Sequence, residues 1–495
     1  MSEPAEDWVQ QRGPLCGFLK RVAQRASRFR DVEEAYFTRR TLGPKEACLA
    51  VAKHWNSETP VIPRMVRPTD RYRRLQAYSL GGGYFLAAHN CGLAIDPGYN
   101  FTQMLFSEYG FTICDIDAVI VTHDHPDHWG DLANLVLLKH IARSRYQGRT
   151  KSRPLRVYLD VSSHKAHEGL FSSGDDVRLI RPEEPRFRIE GEGASKGSWV
   201  HCLRTFHNER FRTPGTWGKG VGLAIEVDRP EENGRAKTIV ITSDTQYPRL
   251  TKLGKHSGLP EFTQHDVDAW QGQVAHYAEG NRTDVLCLHI GSVEACVGND
   301  NFRPEHFASV RDFCENVCYE GHHLGFAGCL KLIDDFYRRH ERRGVVVVSE
   351  FGEELRGARA ELARWLQALA KANRSVQHDP VAPVLPGDLG LLLDLRTEEV
   401  GVLCGKCRGN RVCARKRCPM EDRGCGFPLS QEGRKIDLAM WFGRTNYDLF
   451  HPARKVRYFE DVMGELIHYY CEMGSSAAQL ECGACQTDKV SPSTI

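Results

Sequence analysis

Val121–Asp131 reads VTHDHPDHWGD, three histidines and three aspartates packed directly behind the apolar run AVIV at 118–121. Polar residues commonly collect where a strand gives way to a loop, but here they follow the spacing H-x-H-x-D-H. Alternate side chains of an extended segment point the same way, so His123 and His125 can hold one cation, while a turn at Pro126 carries Asp127 and His128 toward a second. Imidazole and carboxylate suit zinc, and two metals roughly 3.5 to 4 Å apart can activate water and stabilise a hydrolytic transition state. The spacing therefore predicts a binuclear metal centre with hydrolytic chemistry.

Outward from this stretch, apolar runs alternate with helix-like segments. SLGGGYFLAAHNCGLAIDPG gives two short strands around the turn-prone HNCG. Further strands are predicted at DAVIVT, VGLAIEV, KTIVITS, DVLCLHI and GVVVVSE, and helices at DLANLVLLKHIARSR, DVDAWQGQVAHYAEG and FAGCLKLIDDFYRRH. Such alternation predicts an α/β layered domain over 75–355, helices covering sheet. Residues 1–74 carry 15 Lys/Arg against 9 Asp/Glu, with helical spacing through CGFLKRVAQRASRF and PKEACLAVAKHW; they are expected to form a basic helical extension whose charge faces water more readily than nucleic acid. A connector is expected at 356–380, where Leu362, Trp365, Leu366 and Leu369 share one helical face.

The remaining 381–495 is expected to be a separate cysteine-rich domain. LCGKCRGNRVCARKRC sets Cys404, Cys407, Cys413 and Cys418 close together, which suits a structural zinc, and Lys406, Arg408, Arg411, Arg415, Lys416 and Arg417 among them could face phosphate or simply water. Cys425, Cys471, Cys482 and Cys485 follow with no assigned role.

The 495 residues carry 66 Lys+Arg against 64 Asp+Glu, so no overall field advertises a polyanionic partner. MSEPAEDWVQQRG lacks the apolar core of a signal peptide, and no stretch approaches the roughly 20 apolar residues of a membrane span. A cytoplasmic protein with no membrane partner is expected, and its 18 cysteines then read as thiols and metal ligands rather than a disulfide framework.

With the motif and its surroundings in view, the chain resembles the metallo-β-lactamase-fold hydrolases, and most of all their ribonuclease Z-like branch. The resemblance spans roughly 75–355 and implies an αββα sandwich. It implies Asp96, at the end of GLAIDPG, as the carboxylate that orients the metal-binding histidines. His207 in LRTFHN is implied as the next ligand, ahead of nearby His201, and Asp244 in VITSDTQ as the carboxylate shared by both metals. Where the branch ends a late strand in a histidine ligand, this chain has Glu350 in VVVVSEF; either Glu350 or His323 of EGHHLG could complete the site. His323 also matches a histidine that assists proton transfer to the leaving group, and His289, ending DVLCLHI, matches the start of another active-site loop. Bland alternatives stand beside these: a helix-start residue for Glu350, a core histidine for His289, a cap for His323.

The expected catalytic residues are thus Asp127, His289 and His323, and the expected metal ligands are His123, His125, Asp127, His128, His207, Asp244 and Glu350, holding two zinc ions. The SDT, LHIG, HHLG and VVVSEF forms tilt the substrate toward a phosphodiester in a nucleic acid or nucleotide. A hydrolase of a cyclic nucleotide or lactone, or a weakly active nucleic-acid-binding or scaffold protein, is the alternative. A homodimer is left open.

Overall fold

The computed structural model describes residues 5–43, 46–52, 82–172, 175–182, 184–191, 197–207, 220–228, 236–247, 264–279, 283–291, 323–339, 344–352, parts of 362–370, 384–387, 391–396, 399–402 and 426–428. Its strands are β1 (Cys48–Val51), β2 (Tyr84–Ala88), β3 (Cys91–Ile95), β4 (Ala118–Val121), β5 (Arg156–Leu159), β6 (Asp176–Leu179), β7 (Phe187–Glu190), β8 (Gly197–Arg204), β9 (Val221–Val227), β10 (Lys237–Ile241), β11 (Thr283–Gly291), β12 (Val345–Phe351), β13 (Val384–Pro386), β14 (Leu391–Asp394), β15 (Glu399–Val402) and β16 (Gly426–Pro428). The helices are α1 (Ala5–Thr38), α2 (Phe101–Tyr109), α3 (Pro126–Trp129), α4 (Leu132–Arg145), α5 (Val161–His167), α6 (Gln264–Glu279) and α7 (Gly325–Arg339).

The strands form two sheets, ordered β16-β15-β14-β1-β2-β3-β4-β5-β6 and β13-β12-β11-β10-β9-β8-β7. Side-chain alternation sorts the core into three layers. Tyr84, Leu86, Leu93, Ile95 and Ile120 of the first sheet meet Ile225, Ile239, Ile241, Val285 and Val347 of the second. The opposite faces, Phe85, Ala87, Val119 and Val121, pack with Phe101, Met104, Leu132 and Leu135 of α2 and α4. On the far side Val240, Leu286, Leu288 and Val346 pack with Trp270, Tyr277, Ile333 and Phe336 of α6 and α7. Each large side chain so buried contributes roughly 1.5 to 3 kcal/mol. The arrangement is the expected αββα sandwich.

Two helical expectations fail in detail. PKEACLAVAKHW contains β1 rather than a continuous helix: Cys48–Val51 is buried throughout and pairs antiparallel with β2 on one side and β14 on the other. Alanine and leucine favour helix in isolation, but burial on both faces and two neighbouring ladders override so weak a preference. Trp365 does not share the buried face of Leu362 and Leu366; it is 47% exposed. Leu369 lies outside the described residues.

The sheets also reach beyond 75–355. β1 comes from the segment expected as helical extension, while β13 pairs parallel with β12 and β14 pairs with β1, so strands after residue 381 extend both sheets. CGFLKRVAQRASRF does lie within a helix, α1, which leaves Leu15, Phe18, Leu19, Val22, Phe29 and Val32 exposed. Among the described residues no helix is long and apolar enough to cross a membrane, and the described cysteines are free thiols.

Candidate metal centre

β3, β4, β5 and β6 run parallel in one sheet, and β10, β11, β12 and β13 run parallel in the other. Open parallel sheets offer their binding positions beyond the carboxyl ends of the strands. Asp96 follows β3, His123 follows β4, Asp244 follows β10, and Glu350 lies near the end of β12. The backbone bends sharply there: Asp96, Ser243 and Glu350 have φ of 50°, 54° and 56°, left-handed values that cost a non-glycine residue on the order of 1 kcal/mol or more. Pro126 opens α3, where the lack of an N–H is harmless, and α3 turns Asp127 and His128 back toward His123. Gly98 supports this turn, since a Cβ on it would stand 1.8 Å from the Asp127 carbonyl oxygen.

The structure brings all seven expected ligands together, buried. One ligand atom each from His123, His125, His207 and Asp244 lies within 4.8 Å of the others, as do Asp127, His128 and Glu350, and Asp244, His289 and Glu350. His207 Nε2 is 3.0 Å from His125 Nδ1, whereas His201 lies outside, 3.5 Å from Glu226. Asp244 is the hub: its Oδ2 is 3.5 Å from His123 Nε2, 3.2 Å from His128 Nε2 and 3.1 Å from His323 Nε2, and its Oδ1 is 2.9 Å from His289 Nδ1. Glu350 Oε1 stands 3.6 Å from both His128 Nε2 and His289 Nδ1, deep in the cluster and far from the exposed helix start of the bland reading.

Electrostatics separates the groups. Burial, then the neighbouring His123, pushes His125 down to about 3, and burial followed by His123 and His125 takes His207 well below the usual imidazole range. Burial opposes ionisation of Asp244, yet the facing His128 and His323 outweigh it and hold the carboxyl well below its ordinary range. The cluster fits cations: imidazole nitrogens and carboxylate oxygens converge, and Asp127 Oδ1 is buried with no hydrogen-bond partner among the described residues. A buried polar atom left so costs about 1 to 3 kcal/mol unless something else meets it.

Asp96 braces the cluster. It accepts from the Thr122 N–H (2.7 Å) and Oγ1 (2.8 Å), Ser243 Oγ donates to Thr122 Oγ1 (2.7 Å), and His128 Nδ1 lies 3.0 Å from Asp96 Oδ2. That contact turns His128 Nε2 toward Asp244. Asp124 instead points away, 3.1 Å from His167 Nε2 of α5, whose ring lies 4.2 Å from that of Trp129.

Sequence reasoning missed Thr122, Ser243, His167, Tyr84 and Ser349. Tyr84 OH reaches across the sheet interface to His289 Nε2 (3.0 Å) and to Ser349 Oγ. Alternation along GGGYFLAA would have aimed Tyr84 inward, but nothing local names its partners. Cys404, Cys407, Cys413, Cys418, Cys425, Cys471, Cys482 and Cys485 lie outside the described residues.

No curated protein matches the chain. Similar solved structures include the metallo-β-lactamase fold protein YhfI from Bacillus subtilis, 13% identical, covering 70% of this chain and 98% of that one with a TM-score of 0.41. A diphosphatase from the PhnP family is 14% identical over 70% of this chain and 98% of that one, with a TM-score of 0.40. The short form of human tRNase Z is 14% identical over 62% and 93%, with a TM-score of 0.34. Residues 84–202 match the family model described as the metallo-beta-lactamase superfamily, and this stretch begins at the strand of Tyr84 and contains the whole H-x-H-x-D-H motif. The chain therefore carries a domain of the metallo-beta-lactamase superfamily.

Proposed function

We propose that the chain is a phosphodiesterase, of nuclease type, that works with two divalent cations, zinc being the sequence-based expectation for both. The observation that carries this reading is a pair of adjacent donor clusters, His123, His125, His207 and Asp244 beside Asp127, His128 and Glu350, with Asp244 Oδ2 only 3.2 Å from His128 Nε2. His123, His125, His207 and Asp244 would hold one cation; Asp127, His128, Glu350 and the same Asp244 would hold the other. When bound, such a pair lowers the pKa of water and offsets the charge that develops on a phosphoryl group.

The chain's own residues supply the rest. Asp96 holds His128 in one orientation through Nδ1, and a histidine fixed in this way presents its other nitrogen to the cation. His323 is 13% exposed and sits beside Asp244, at the rim between cluster and solvent, where it would give a proton from Nε2 to a departing alkoxide. The phosphodiester preference rests on the SDT, LHIG, HHLG and VVVSEF forms.

The test is metal analysis of the purified protein with a panel of bis(p-nitrophenyl) phosphate, RNA, single-stranded DNA, a cyclic nucleotide and a lactone, alongside His125→Ala. Cleavage of a diester by the parent and not by the variant is expected. Full metal occupancy with no diester cleaved would sink the proposal.

A further inference from the structure

The two donor clusters are chemically unequal. The first offers three imidazole nitrogens and one carboxylate: His123, His125, His207 and Asp244. Beside it Asp127, His128 and Glu350 converge in one set and Asp244, His289 and Glu350 in another, and with Asp244 Oδ2 3.2 Å from His128 Nε2 these sets bring three carboxylates together on the second side.

His289 is committed elsewhere. A carboxylate can only accept, so the 2.9 Å contact between His289 Nδ1 and Asp244 Oδ1 places the imidazole proton on Nδ1. Nε2 then accepts from Tyr84 O–H at 3.0 Å, and the phenol oxygen accepts from Ser349 Oγ–H. Burial holds Tyr84 as a phenol, well above its ordinary range. With Nδ1 on Asp244 and Nε2 on Tyr84, both ring nitrogens of His289 are engaged within the protein. The second cluster is left with one imidazole and three carboxylates, and the left-handed turn at Glu350 fixes the third of them inside it.

Imidazole-rich sets suit zinc, whereas carboxylate oxygens suit harder cations such as manganese and magnesium. We infer that the two clusters sort divalent metals: the histidine cluster retains zinc, and the cluster of Asp127, His128, Glu350 and shared Asp244 takes a harder, oxygen-preferring cation such as Mn2+. Zinc binds most donor sets more tightly than manganese, so the sorting is a difference in preference between the clusters and shows when zinc is scarce. This inference rests on the two-cation reading above and refines its second metal.

The test loads the metal-free full chain with one equivalent of Zn2+ and about a tenfold molar excess of Mn2+, enough to compete at the weaker zinc site. Metal content and electron paramagnetic resonance are read after removal of unbound ions. The expected product holds one zinc and one manganese per chain, with the spectrum of an isolated Mn2+. In Glu350→His a second zinc displaces manganese under zinc excess, with Mn2+ retention falling at least about tenfold, as one more imidazole implies. Glu350→Gln, which keeps the shape, loses Mn2+ while holding its zinc.

A mixture of two-zinc chains and spin-coupled two-manganese chains overturns the sorting and leaves the hydrolase reading standing. So does undiminished Mn2+ retention in both Glu350 variants. Failure of the metal-free chain to take either ion overturns both.

Discussion

Replacing Gly291 by alanine probes the role proposed for His323 without touching a cation donor. A Cβ at Gly291 would stand 2.3 Å from His323 Cγ, and its φ is +64°. Ordinary carbon contact begins near 3.4 Å, so the ring must retreat by about 1 Å, which takes Nε2 out of hydrogen-bond range of Asp244. The left-handed backbone adds about 1 kcal/mol of strain for alanine. A catalytic group misplaced by about 1 Å costs on the order of 10²-fold in rate. The loss should depend on the leaving group: p-nitrophenolate departs without a proton, whereas the alkoxide of a dinucleotide needs one. Gly291→Ala should therefore lose roughly 10²-fold in kcat on a dinucleotide, keep most of its activity on bis(p-nitrophenyl) phosphate, and bind the same amount of metal. Urea unfolding should show a loss of about 1 to 2 kcal/mol from strain and displacement together. Equal losses on both substrates, or none on the dinucleotide, would refute His323 as the proton donor.

Three other outcomes follow from the same geometry. Asp96→Ala removes the partner of His128 Nδ1 and both contacts to Thr122, so metal affinity measured by calorimetry should fall about 10- to 100-fold; unchanged affinity would show that packing alone orients His128. Tyr84→Phe strips the shared partner from His289 and Ser349 deep between the sheets, and denaturant unfolding should register a loss of about 1 to 3 kcal/mol. Lys139, fully buried with Nζ donating to the Ile116 carbonyl at 2.6 Å, is lowered from 10.5 to about 8, chiefly by burial. Between those values the unfolded chain binds more protons than the folded one, so this group's contribution should rise with pH, by up to roughly 3 kcal/mol from pH 8 to pH 10.5. A pH-independent stability difference between wild type and Lys139→Met across that window would contradict it.

The local parts of the site are legible because they depend on short spacing. H-x-H-x-D-H needs only strand alternation and one proline turn, and the hairpin at HNCG needs only His89 and Asn90 in left-handed conformations, which they adopt at φ 52° and 56°. Apolar runs of four to seven residues likewise announce β4, β9, β10, β11 and β12. What stays hidden depends on how the sheets face each other. Tyr84 and Ser349 are 265 residues apart, and no period in either strand encodes their meeting. The same reason hides β1, whose sequence suits a helix until β2 and β14 flank it, and the role of His289, which only its two partners decide.

Asp96, Ser243 and Glu350 hold left-handed turns that glycine would adopt freely. Substituting glycine at any one would relieve on the order of 1 kcal/mol of backbone strain while deleting a brace or a donor of the centre. A population of variants selected for heat resistance alone should drift toward glycine at Glu350, which, unlike Asp96 and Ser243, does not brace Thr122, and should lose metal as it hardens. Selected for turnover, it should hold the costlier residue there and seek its stability in the three apolar layers instead.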